Sequence, residues 1–244
     1  MKLGIFSRAG QLANEDQAYD FGNYVQADGV NDKGTLASAI DFDNNSPWAL
    51  SFWVKGSASS NSTSIIFSKT GNSNYYVYLR HGRTPNVRFA QRNSSGRQDW
   101  ADATLGNWND EAWHHVYIYS VGTDVHLVYD GVNKGDGGGS LSQEGLEVGN
   151  MFYRQNTNNG FATVGLDDAI LHQFSTNKSG SIAQAQSLYN SSSGSNPATA
   201  LGETPDFWYK FDVSNGTTTI PNSGGAGGNN LTLTNFSGTY ILEH

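Results

Sequence analysis

The chain is dominated by short runs of alternating apolar and polar residues, broken by clusters of Gly, Asn, Asp and Ser, a pattern that favours strands. The runs are Tyr24–Asp28, Ala49–Lys55, Ser64–Lys69, Tyr75–Arg80, Asn86–Arg92, Trp113–Ser120, Asp124–Asp130, Phe161–Phe174 and Phe207–Asp212. Their boundaries are residues that tolerate positive φ or close Asx turns. Leu50, Phe52 and Val54 share one face, whereas His114, Val116 and Ile118 oppose Trp113, His115, Tyr117 and Tyr119. Both faces of that second run are partly apolar, as a central strand of a sandwich requires. A single helix is expected over Ser181–Tyr189, with Ile182, Ala185 and Leu188/Tyr189 on one face and Ser179 as N-cap. One short helix near residues 180–190 among so many strands predicts an all-β, antiparallel two-sheet β-sandwich.

Asn190–Pro197 and Ser223–Asn230 read as flexible loops rich in Gly, Ser and Asn. The roughly 45 residues after the first loop are too few for a core of their own. Residues 1–241 are therefore expected to form one domain, with 198–241 returning to pack on it. Leu242-Glu243-His244 reads as an expression-tag remnant.

Composition narrows the function. Fourteen basic against twenty-two acidic residues give a net charge of −8, which argues against nucleic acid. Charged residues are 15% of the chain, below the usual share of about 25%, so amides and hydroxyls supply the polar surface. The absence of cysteine removes disulfides, thiolate metal sites and cysteine nucleophiles. Mean hydropathy is −0.51, and no apolar run approaches the roughly 20 residues of a membrane span, so no membrane insertion is expected. Met1–Ser7 is too short an apolar start for a secretory leader, and none is expected.

Catalytic motifs are missing. Gly-x-Ser-x-Gly, His-Glu-x-x-His and Gly-x-x-x-x-Gly-Lys do not occur. Asp41 and Asp43 have the i, i+2 spacing of strand carboxylates, but no Glu follows to complete a glycosidase string. The EF-hand pattern starting at Asp41 fails at Ser46 and Phe52. Asp167 and Asp168 are neighbours, so in a regular strand one is buried or ligating and the other solvated. His114 and His115 point apart for the same reason, which favours core or pairing roles over zinc. No enzymatic activity is expected.

Four segments, taken in order, resemble the laminin-G-like branch of the concanavalin A-like lectin/glucanase jelly rolls. They are Tyr24–Asp32 with its Asp-Gly-Val-Asn-Asp turn, Trp48–Lys55, Trp113–Val116 followed by His126–Gly131, and Gly165–His172 with the helix ending Leu188-Tyr189-Asn190. A fifth, Phe207–Asp212 with Gly216–Gly225 and Leu231–Asn235, resembles a stretch that many bacterial members place before the domain; here it follows it. That order is similar to laminin-G-like proteins of phage and other virus particles. The resemblance implies a non-catalytic virion protein, a capsid decoration or a tail or fibre component, located in the virion and assembled with other virion proteins or with itself as a homo-oligomer. It implies host-surface glycans as ligands and calcium as a structural ion, with Asp28, Asp32 and Asp167 as its ligands. A lectin domain of a bacterial surface or secreted protein is the alternative, and a glycoside hydrolase the third reading.

Sugar binding uses exposed aromatic faces beside amide and carboxylate groups. Trp100 with Asp102, and Tyr153 with Arg154, lie in Asp/Asn-rich stretches between strands and are the candidate carbohydrate-binding residues. Trp108, in the first of these stretches, reads as packing.

Overall fold

A computed structural model describes residues 21–42, 46–56, 63–69, 75–80, 86–93, 96–101, 108, 110–122, 124–137, 146–153 and 161–244. In chain order its strands are β1 (Asn23–Gln26), β2 (Lys33–Asp41), β3 (Trp48–Gly56), β4 (Thr63–Ser68), β5 (Tyr75–Arg80), β6 (Asn86–Asn93), β7 (Gly96–Ala101) and β8 (Trp113–Val121). They continue as β9 (Asp124–Tyr129), β10 (Val132–Gly137), β11 (Glu147–Met151), β12 (Val164–Gln173), β13 (Phe207–Tyr209), β14 (Thr219–Ile220), β15 (Leu231–Thr234) and β16 (Ile241–Glu243). Two short helices, α1 (Ile182–Tyr189) and α2 (Pro197–Leu201), lie between β12 and β13.

The strands form two antiparallel sheets. One runs β10-β9-β8-β3-β12-β1-β16, with β13 also on β12, and the other runs β14-β15-β2-β11-β4-β5-β6-β7. The all-β sandwich expected from the alternating pattern is the one observed. Its core lies between the sheets, where Leu50, Phe52, Val54, Val116, Ile118, Leu127 and Leu171 meet Phe67, Met151, Phe152 and Leu231. Asp130 and Gly131, with φ of 50° and 71°, join β9 to β10 and leave Tyr129 opposite Val132. Positive φ at both central residues is what a two-residue hairpin needs to match the strand twist.

The outer face of the first sheet is also covered. Ala49, Tyr117, Tyr119, Val128 and Ile170 pack beneath Ala185 and Leu188 of α1 and Ala200 and Leu201 of α2. This explains the two apolar faces of β8. The cap of α1 is Ser181, whose side chain accepts from the Gln184 N–H, and not Ser179. The segment expected to be a loop up to Pro197 runs into α2, because Asn196 caps the N–H groups of Ala198 and Thr199 and Pro197 opens the helix.

One strand departs from regular pairing. Between Asp167 and Ile170 the register of β12 against β3 shifts, and Asp168 has φ of 45°. Both aspartates are therefore buried, at 0% and 4% exposure, rather than split between core and solvent. Asp168 Oδ1 accepts from the Trp208 indole N–H at 2.6 Å, and Asp167 Oδ1 from the Asp168 N–H at 2.8 Å.

Candidate functional site

At one end of the sandwich the two sheets part to form an open groove of about 670 Å³. That is within the range of about 300–1,000 Å³ typical of ligand clefts. One wall is the last part of β2 from Ser38, extended to Phe42; the other is Gln173–Thr176 at the end of β12, with Asp206 and Phe207 entering β13. Ala226, Gly227 and Asn229 close the side. Phe42 and Phe174 are buried beneath it, and Phe207 is partly exposed.

Local chemistry fixes these walls. Asn229 Oδ1 accepts from the Ser38 N–H at 2.9 Å, and the Asn229 carbonyl accepts from the Tyr209 hydroxyl at 2.8 Å. The Phe174 N–H donates to the Pro47 carbonyl, and the Ala226 N–H to the Asp206 carbonyl. Asp206 Oδ2 accepts from the Gln173 N–H at 2.8 Å and lies 3.1 Å from His172 Nδ1. His172 Nε2 is 3.2 Å from Glu203, whose other oxygen accepts from Lys178 and Ser175. Burial works to raise both carboxyls, but their hydrogen bonds outweigh it, from His172 and Gln173 on Asp206 and from His172, Lys178 and Ser175 on Glu203, and hold each below the ordinary range. The groove thus presents an ionised carboxylate among amides and hydroxyls with an aromatic edge. Such a set accepts and donates hydrogen bonds to a polyol.

The residues singled out in the sequence fall elsewhere. Asp28 and Asp32 close their own turn, with Asp28 Oδ1 accepting from the Val30 N–H at 2.7 Å and Asp32 Oδ2 from the Asp28 N–H at 2.8 Å. Burial pushes the Asp32 carboxyl up to about 6, the Asp28 N–H opposing and the Asp28 charge adding to it. Asp167 is not with them. Leu166, the residue before it on β12, pairs with Val25 in β1, whereas Asp28 lies beyond the end of β1 at Gln26. Asp32 Oδ1 and Asp167 Oδ2 are each buried without a partner, yet the three aspartates do not converge on one ion, which for calcium requires about 6–8 oxygens. Among the described residues no three His, Asp or Glu side chains form a metal-binding group.

Tyr153 is a correction. It is 5% exposed, its ring stacks on Phe161, and its hydroxyl donates to Asn150 Oδ1 at 2.9 Å. It packs and has no open face for a sugar. Trp100 lies on β7 opposite Phe89, while its side chain, Asp102 and Arg154 lie outside the described residues. Trp108 is fully buried, as its packing role requires. The groove residues escape a reading of the sequence because they come from four distant segments, two of them the ends of strand-like runs and two loop-like, and only the fold brings them together; the Asn/Gly-rich stretch before Asn230 is the one local signal.

The adjacent histidines do point apart. His115 is buried with Nε2 2.8 Å from Ser51 Oγ, and burial pushes it down to about 3. His114 lies between two carboxylates, Nδ1 2.7 Å from Asp130 and Nε2 3.1 Å from Asp110. Burial lowers its pKa, but Asp130 and Asp110 together outweigh this and raise it. A histidine raised in the folded state contributes stability that is complete below its unfolded pKa of about 6.5 and is lost as pH climbs through the folded value. Thermal melts should therefore show the protein losing stability above that point, with the loss flattened in His114→Gln; equal pH slopes for the two proteins would refute the role.

With these elements in place, the class is that of a lectin-like jelly-roll sandwich. A laminin G family model, described as the concanavalin A-like lectin/glucanases superfamily, matches residues 28–173, and the chain belongs to that superfamily. A comparison with curated proteins gives no match. Among solved structures, a proposed carbohydrate-binding protein from Bacteroides ovatus aligns with a TM-score of 0.61 at 13% identity, over 92% of this chain and 60% of its own length. The chain thus spans about three-fifths of that protein. A heptameric SAP-like pentraxin from Limulus polyphemus aligns with a TM-score of 0.54 at 10% identity, over 70% of this chain and 84% of its own. Tailspike protein 2 of an Escherichia coli O157:H7 bacteriophage aligns with a TM-score of 0.50 at 13% identity, over 78% of this chain and 26% of its own. Among the described residues no helix is long and apolar enough to cross a membrane.

Proposed function

We propose that the chain is a non-catalytic structural and binding protein of a virus particle, a capsid decoration or part of a tail or fibre, that engages host-surface glycans through the groove between β2 and β13. The observation that carries the glycan reading is the groove itself, where ionised Asp206 stands among Gln173, Thr176 and Asn229 beside the edge of Phe207. A general acid for glycoside cleavage needs a raised carboxyl. Asp206 is driven the other way and is not poised as that acid. The tailspike shares the fold, and a symmetric homo-oligomer is the assembly expected of a particle component. A lectin domain of a bacterial surface or secreted protein is the second reading, favoured by the alignment of nearly the whole chain with the Bacteroides ovatus protein.

The test is a glycan array with the full chain, with calcium and then with a chelator, beside mass-resolved sizing. One defined glycan class should be retained, and Thr176→Trp, which places a bulky ring over the groove from an exposed position, should weaken retention by about tenfold or more. Loss on chelation would add calcium to the site. Retention unchanged in Thr176→Trp would place the sugar elsewhere. No retention in either condition from a stable oligomer would refute glycan binding and leave particle architecture.

A further inference from the structure

The outer face of the first sheet carries a slot that is separate from the groove. The imidazole of His244 lies between two nearly parallel rings, 4.2 Å from Phe21 at 9° and 4.2 Å from Trp113 at 14°. Tyr24 meets both Trp113 and this imidazole edge-on, at 4.9 and 6.4 Å, and Lys55 Nζ stands 6.0 Å from the Trp113 ring. Phe21 is itself braced edge-on by buried Trp53 at 4.9 Å. Register explains how the wall forms: Trp113 is opposite Lys55, Lys55 opposite Gly165, and Gly165 opposite Gln26. A Cβ on Gly165 would stand 3.0 Å from the Tyr24 ring and 3.3 Å from that of Trp113. Without one, the two rings lie close over the strand. Phe21, Tyr24, Lys55 and Trp113 thus build the slot, and Phe21 and Trp113 remain partly exposed at its mouth.

We propose that the slot between Phe21 and Trp113 is a second subsite, which takes one pyranose ring of a glycan in the place now filled by the His244 imidazole. The proposal rests on the glycan-binding reading above and assigns it a further site. Two walls set one ring apart admit a single ring and hold both its faces. A pyranose has apolar C–H faces and a polar rim, the same division as the imidazole already seated there. Burial and the Lys55 charge push His244 down to about 4, so the slot holds its occupant neutral and disfavours a cation. A net charge of −8 weighs against nucleobases as the natural rings.

The experiment follows the indole N–H signal of Trp113 in labelled full-length protein titrated with methyl β-glucopyranoside, methyl β-galactopyranoside and methyl α-mannopyranoside. In His244→Ala the signal should shift, with a midpoint about tenfold or more below that of the unchanged chain, whose own ring competes from a tether. Adding Phe21→Ala should abolish the shift, and adding Thr176→Trp should leave it intact. The slot proposal falls if folded His244→Ala answers to none of the three sugars, if Phe21→Ala makes no difference, or if only free imidazole or an aromatic peptide moves the signal. Sugar binding that Thr176→Trp abolishes, with Trp113 silent throughout, would overturn the slot and keep the groove. A Trp113 response with no groove binding would do the reverse.

Discussion

Replacing Trp108 with alanine is expected to destabilise the protein by about 3–5 kcal/mol, the usual cost of emptying a large buried aromatic site. The indole is fully buried and lies directly against Gly56 at the end of β3, where a Cβ would collide with the ring. The Glu111 N–H donates to the Gly56 carbonyl at 3.0 Å, so the same contact anchors the approach to β8. For a chain of this size each kcal/mol moves the melting temperature by about 2–4 °C. Thermal and denaturant unfolding should both register a fall on the order of 10 °C with an unchanged denaturant slope. A loss under about 1 kcal/mol would mean that the ring is not the keystone of this corner.

The second large effect has the opposite sign. Asp167→Asn should stabilise the protein at neutral pH by about 1–3 kcal/mol, because an amide neither carries the buried charge nor has to take up a proton to avoid it, and each unit by which folding raises a carboxyl costs about 1.4 kcal/mol. Asp167 is fully buried, Oδ2 has no partner, and burial followed by the charge of Asp168 holds its carboxyl well above the ordinary range. An acid whose folded pKa is raised binds its proton more tightly when folded. Stability is therefore greatest below the unfolded value of about 3.9 and declines as pH rises to the folded one. Asparagine keeps the oxygen that accepts from the Asp168 N–H and replaces the other with a neutral amide. Denaturant midpoints at several pH values should show the variant ahead at neutral pH and the difference shrinking in acid. Equal or lower stability of the variant at neutral pH would show that the charge is matched within the protein.

What could be read from the residues depended on how locally each feature is specified. β3 and β8 were legible because Leu50, Phe52 and Val54, and Val116 and Ile118, alternate against a core on one side. β2 was not: only Leu36 and Ile40 of its nine residues are buried apolar side chains, and the strand is held by pairing with β11 and β15 from far along the chain. The bulge at Asp167 is a property of two strands in register, which the paired aspartates alone could not reveal. The same holds for the site. Tyr153 stands in a loop-like stretch, and only the packing of Phe161 and Asn150 shows its ring to be spent. Asp206 was silent in the sequence because its partners, His172 and Gln173, belong to a strand more than thirty positions away.

The tandem arrangement on the flank of β12 bears on how the chain reaches this state. β1 lies beside Gly165 and Leu166, β13 beside Ala169–Leu171, and β16 completes the edge by pairing Asn23–Val25 with Ile241–Glu243. Early and late segments thus share one border. During synthesis β1 can find β12 but waits for β16, and its outer edge stays unpaired while nearly all the rest of the described chain emerges. Contacts of such long separation slow folding and leave an open strand edge for aggregation in the interval.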